Sequence, residues 1–197
     1  MALTFYWGKQ SEHRRPAAIP ITAAQPVAVA PTCGDRVLRD QGIGKLQIGM
    51  PLDSVKTICR VVLDTVRPGP EGMTQRVITV AFPPDAVEAE IVDGKIWRLD
   101  IDSPAFRTPD SLAVGSTLSE LRRVGGSHAA FGEGKLFLLS SKHCGLSFRL
   151  AGPIPTTSFR NWTAKKLAKL PEAVAVDRIL VYDRSHGCPD PERPVND

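Results

Sequence analysis

Apolar residues fall into short, locally periodic runs separated by glycine and proline. In Leu52-Asp53-Ser54-Val55-Lys56-Thr57-Ile58-Cys59, the apolar positions recur at three- and four-residue spacing and give one apolar helical face. Pro51 suits the first helical position, and Asp53 suits the positive end of the helix dipole. A second helix is predicted over Leu118-Ser119-Glu120-Leu121-Arg122-Arg123-Val124. Thr117 and Glu120 have capping-box spacing, and Gly125-Gly126 stops the helix. The two segments match at one constant offset: Ile48-Gly49 with Val114-Gly115, Leu52 with Leu118, Val55 with Leu121 and Ile58 with Val124. A constant offset is the mark of related supersecondary units.

Strand patterns follow each helix. Val77–Phe82 is β-rich and ends at Pro83-Pro84. Ala86–Val92 alternates, Asp93-Gly94 is a favoured two-residue hairpin turn, and Lys95–Asp102 alternates again. That alternation puts Trp97, Leu99 and Ile101 on one face and Arg98, Asp100 and Asp102 on the other. After the second helix, Leu136–Leu139 and the alternating Leu146, Phe148 and Leu150 predict two more strands. A third helix is expected from Trp162 to Leu170, ended by Pro171, with a last strand from Val176 to Tyr182. The expected class is therefore α+β: two helix-plus-antiparallel-strand repeats, about 42–108 and 109–182, sharing one sheet with the helices on one face.

The chain has 197 residues, of which 42% are hydrophobic and 23% charged, an ordinary globular composition with room for one core. The net charge is +4, part of it in the first thirty residues, where Lys9, Arg14 and Arg15 outweigh Glu12. The remainder is nearly neutral and lacks a basic stripe with interleaved aromatics, which argues against a nucleic-acid surface. No apolar run is long enough to span a bilayer as a helix. Residues 1–30 read as a leader. Basic residues precede a weakly apolar stretch that ends in Ala28-Val29-Ala30, the order of a secretory signal, although Pro16, Pro20 and Pro26 interrupt it. A single domain over 31–183 and a loose polar tail over 184–197 complete the expected organisation.

Four cysteines, Cys33, Cys59, Cys144 and Cys188, suit two disulfides in an exported domain. Bridging distant segments closes the longest loops, which favours Cys59 with Cys144 and Cys33 with Cys188. The competing reading groups His143, Cys144, His186 and Cys188 as a zinc set or as a thiol site with Cys144 as nucleophile. Their spacing matches no zinc finger or ribbon, and adjacent strand residues point to opposite faces. Glu88, Glu90, Asp93, Asp100 and Asp102 make a carboxylate-rich hairpin face, which most simply keeps a sheet solvated. Phe106, Arg107, Arg160 and Trp162 have the residue types favoured at protein interfaces, with Phe106 equally suited to plugging the core. No serine elbow, phosphate-binding loop, dinucleotide fingerprint or His-Glu-x-x-His motif is present.

The stretch Gly42-Ile43-Gly44-Lys45-Leu46-Gln47-Ile48-Gly49-Met50, leading into the first helix, resembles a repeat start in the beta-lactamase-inhibitor-like and SmpA/OmlA-like exported domains. Ile101–Thr108 followed by Leu112–Thr117 looks like the junction before a second such unit. The likeness spans about residues 42–150 and extends to uncharacterised bacterial exported proteins. It implies a periplasmic or secreted domain that works by binding other proteins. The expectation is thus a non-enzymatic envelope accessory or protein-binding domain without a cofactor; its alternative is the thiol- or zinc-dependent enzyme.

Overall fold

The computed structural model describes residues 32–69, 72–152 and 164–183. Three two-residue strands open it: β1 (Leu38–Arg39), β2 (Gly42–Ile43) and β3 (Leu46–Gln47), a small antiparallel sheet. Helix α1 (Leu52–Ile58) leads into β4 (Val61–Pro68), β5 (Thr74–Phe82), β6 (Asp85–Val92) and β7 (Lys95–Ile101). Helix α2 (Leu118–Arg123) leads into β8 (Gly126–Gly132), β9 (Lys135–Ser140) and β10 (Leu146–Leu150), then the single-turn α3 (Ala164–Leu167) and β11 (Val176–Val181). One antiparallel sheet holds eight strands in the order β4-β5-β6-β7-β11-β10-β9-β8.

The expected fold class is corrected by this architecture. Among the described residues, 49% are extended and only 12% helical, so the chain is mostly β rather than an α+β assembly of helix-plus-strand repeats with a helical layer on one face. The helical signals are real but short, while β4 and β8 carry too little alternation to announce themselves. The sequence match instead coincides with a pair of local docking contacts. Gly49 N–H donates to Ile96 O, Ile96 N–H to Met50 O and Leu52 N–H to Gly94 O. At the corresponding positions, Gly115 N–H donates to Val176 O, Val176 N–H to Ser116 O and Leu118 N–H to Val174 O. Each helix start is thereby fastened to the start of a central strand, β7 or β11. The capping box at α2 forms as read: Glu120 N–H donates to Thr117 Oγ1, and Thr117 N–H to the Glu120 carboxylate.

The sheet registers align two apolar rows across the strands. Ile78, Ala89, Leu99, Val181 and Leu146 stand opposite one another in turn, and so do Ile101, Ile179, Phe148, Leu138 and Ala129. Opposed residues share a face, so these rows define the core side. Leu52 and Val55 of α1, Leu118 and Leu121 of α2 and Phe106 join the same core. No helix among the described residues is long and apolar enough to cross a membrane.

The disulfide pairing differs from expectation. Cys33 is bonded to Cys59, with Cα atoms 4.6 Å apart. Lys45 N–H donates to Cys33 O, which ties the segment ahead of β1 to the turn between β2 and β3, and the disulfide joins that segment to Cys59, the C-cap of α1. Proximity set by local docking outweighs the loop-length preference that favoured Cys59 with Cys144 and Cys33 with Cys188.

Candidate binding surface

The face of the large sheet opposite the core carries the chemistry. Glu88, Asp100, Leu180, Ser147 and Leu139 form one row across it, and Arg178, Arg149, Phe137 and Ala130 form another. Each charged member is ion-paired: Glu88 with Arg67, Asp100 with Arg178, and Arg149 with Asp177. Burial pushes the Asp100 carboxyl above its usual value against the pull of Arg178. Of the hairpin carboxylates, Glu88, Glu90 and Asp100 are thus salt-bridge partners, while Asp93 and Asp102 are exposed. Among the described residues, no group of three or more His, Cys, Asp or Glu side chains is placed to hold a metal ion.

This face is curled. Glu133, in the turn between β8 and β9, contacts Arg98 of β7 at 2.6 Å. β7 lies three places from β9 in the strand order, about 14 Å away in a flat sheet. The contact therefore requires the β8–β9 hairpin to bend over the face toward β7. Beneath the bend runs a groove of about 650 Å³ lined by Val92, Trp97, Ala130, Leu139, Ser147 and Tyr182, among others.

A β-bulge puts Trp97 into that groove. Glu90 pairs with Arg98 and Ile91 with Ile96, so Trp97 is the extra residue of β7 with no partner opposite it. The bulge sends Ile96 to the core and leaves Trp97 47% exposed. Strict alternation had grouped Trp97 with Leu99 and Ile101, and this is where that pattern breaks. Trp97 meets Tyr182 edge to face at 5.6 Å, and the Arg98 guanidinium lies 5.6 Å from the Trp97 ring centroid and 6.0 Å from that of Tyr182. Arg98 is buried and also paired with Glu90 at 3.1 Å. Burial works against its charge, but Tyr182 and Glu133 more than reverse that, so the guanidinium is held firmly protonated. Burial likewise pushes the Tyr182 hydroxyl up, opposed by the hydrogen bond from Arg98. The result is a fixed cation with an aromatic pair above it, the exposed tryptophan facing solvent.

The residues singled out from sequence are dispersed. Phe106 is fully buried, edge-on to Phe82 at 5.4 Å, so it plugs the core and is not a contact surface. Arg107 is exposed, with its backbone bridged to Val37. Arg160, Trp162, His186 and Cys188 lie outside the described residues. Cys144 is disulfide-bonded, which removes it as a thiolate nucleophile or zinc ligand and corrects the alternative built on it. His143 is buried, and its Nε2 lies 2.9 Å from both carboxylate oxygens of Asp110. Asp110 also accepts from Thr108 and binds Lys142 at 2.9 Å. These partners hold the Asp110 carboxyl below its usual range despite burial that alone would raise it. The cluster ties the β9–β10 turn to the segment ahead of α2, a structural clamp.

One solved structure similar to this chain is that of the uncharacterized protein yfeY from Escherichia coli, with a TM-score of 0.55 and 16% identity over 75% of this chain and 99% of that one. At that identity the likeness concerns the fold alone. No family model matches the chain, and no curated protein matches it.

Proposed function

We propose that this is an exported, non-enzymatic binding domain that takes hold of another protein or an envelope component through the curled sheet face. The observation that carries the reading is the bulge that turns Trp97 out of the core and into the groove beside Tyr182 and Arg98. A tryptophan, a tyrosine and an arginine clustered in a concavity are the residue types that dominate interface energetics. Arg98 is already ion-paired with Glu90 and Glu133, so docking against it requires little desolvation of unpaired charge at the guanidinium. The Cys33–Cys59 disulfide is the support for export, because such bonds persist in oxidising compartments.

The test is site-specific photo-crosslinking in the native host. A crosslinking residue is placed at Val92 or Ala130 in the groove, and at Asp53 on α1 as control. The expected result is one protein captured from both groove positions, absent from the control, and lost when Trp97→Ala is added. Adducts that form equally at Asp53, or that ignore Trp97→Ala, would overturn the reading.

A further inference from the structure

Asp183, the last described residue, lines the groove beside Tyr182 and Gly145. A second tie to the same rim follows from the cysteines. The chain has four: Cys33 and Cys59 are bonded to each other, and Cys144 is itself disulfide-bonded, which leaves Cys188 as its partner. Leu99, Val181 and Leu146 share one row across β7, β11 and β10, and Tyr182 N–H donates to Gly145 O just beyond it. Extended by two residues, that row brings Trp97, Asp183 and Cys144 to the same end of three neighbouring strands. Only Arg184-Ser185-His186-Gly187 separates Asp183 from Cys188. A disulfide holds its Cα atoms within about 7 Å, so the bond returns the chain to the mouth of the groove.

We infer that the chain's own segment 189–195, anchored by a Cys144–Cys188 disulfide, docks in the groove against Trp97 and Tyr182. The inference rests on the reading of the groove as a docking surface, and adds its regulation: a partner takes the groove only by displacing the segment. The segment has the chemistry for it. Pro191-Glu192-Arg193-Pro194 is a Pro-x-x-Pro run, with Pro189 two residues before it. Proline fixes φ near the polyproline II value, and the three-residue turn of that helix sets Pro191 and Pro194 on one face, about 9 Å apart. Aromatic-lined grooves bind such a ridge at little ordering cost, because the segment is extended beforehand. The reach agrees. β10 and β7 are two places apart in the strand order, about 10 Å, and three residues beyond Cys188 advance about 9 Å, which sets Pro191 over Trp97. A short tether also gives the segment an effective concentration of about millimolar, so modest contacts suffice to fill the groove.

Two measurements on the full chain test it. Peptide mapping without reductant is expected to recover Cys144 and Cys188 in one linked pair of peptides. Acrylamide quenching then reads the accessibility of Trp97, with Trp7 and Trp162 replaced by phenylalanine so that Trp97 alone emits. Quenching is expected to be weak in this parent and to rise severalfold in P191G/P194G, which keeps the disulfide and the far-UV circular dichroism of the parent. C188S, which frees the segment, should raise it as well. A Cys188 that is free or bonded elsewhere overturns the inference, and so does P191G/P194G quenched no more than its parent. The two readings fail separately. Partner capture from Val92 and Ala130 alongside unchanged quenching strikes the segment and keeps the groove as a binding surface. A rise in quenching with no partner captured keeps the segment in the groove and strikes the binding of a second protein there.

Discussion

Replacing Arg98 by methionine separates the groove's electrostatics from its shape. The guanidinium is buried between Glu90, whose side chain is 15% exposed, and Glu133, which is 43% exposed. Breaking a buried pair by removing one partner costs about 3–5 kcal/mol, because a charge is left uncompensated. The half-exposed Glu133 contributes little, about 1 kcal/mol at most after solvent screening. The Glu90 contact is an ion pair whose facing carboxylate oxygen makes no well-aligned hydrogen bond, which sets the loss at the low end, about 3 kcal/mol. For a domain of this size, that lowers the melting temperature by about 6–12 °C. Urea unfolding followed by far-UV circular dichroism measures it directly. The control is the double variant Arg98→Met with Glu90→Leu, which removes both charges and should regain most of the loss. A single variant within about 1 kcal/mol of wild type, or a double variant less stable than the single, refutes the view that Arg98 compensates a buried carboxylate.

Leu52→Asp and Leu118→Asp each place a carboxylate in the core beneath a helix start, and each should cost several kcal/mol in the same assay; a wild-type midpoint for either would dissociate that helix from the core. Converting Cys33 and Cys59 together to alanine opens a cross-link between residues 26 apart, worth about 3.5 kcal/mol by loop-closure entropy, read as a lower urea midpoint. Asp110 has a folded value below its ordinary one, so its stabilisation is present above about pH 4 and is lost as pH falls through the folded value. Asp110→Asn should therefore be less stable at neutral pH yet lose less on acidification, and parallel stability curves for the two proteins would exclude the clamp.

Local signals were readable where one short-range rule decides the outcome. The Thr117–Glu120 box forms, Asp93 and Gly94 both adopt the positive φ that the hairpin turn requires, and of the helix faces Leu52, Val55, Leu118 and Leu121 are buried, with Ile58 and Val124 partly so. The fold class was misread because the strands that enlarge the sheet have no clean pattern. β4 lies at an edge with both sides largely exposed, so Val61-Val62-Leu63-Asp64-Thr65-Val66 has no reason to alternate. β8, with Gly126, Ala129, Ala130 and Gly132, draws its conformation from pairing with β9 rather than from propensity. Disulfide connectivity was illegible for another reason: which cysteines meet depends on how the segment around Cys33 folds back, a tertiary fact.

The candidate site was hidden by the same rule that located its strand. Period-two reasoning assigns Trp97 inward, because a bulge adds one residue without leaving a mark such as glycine or proline. One signal did exist. If Ile96 rather than Trp97 belongs with Leu99 and Ile101, the spacing is three and then two, and the buried arginine between them needs acidic partners across the pairing. Glu90 stands opposite Arg98 as one of them. The other, Glu133, arrives from a turn that sequence places 35 residues away, and only the curl of the sheet brings it near. A sequence pattern can therefore identify the strand that carries a binding residue while misassigning the face on which that residue stands. The error falls where the strand departs from regular pairing, and here that departure puts an aromatic side chain into the groove.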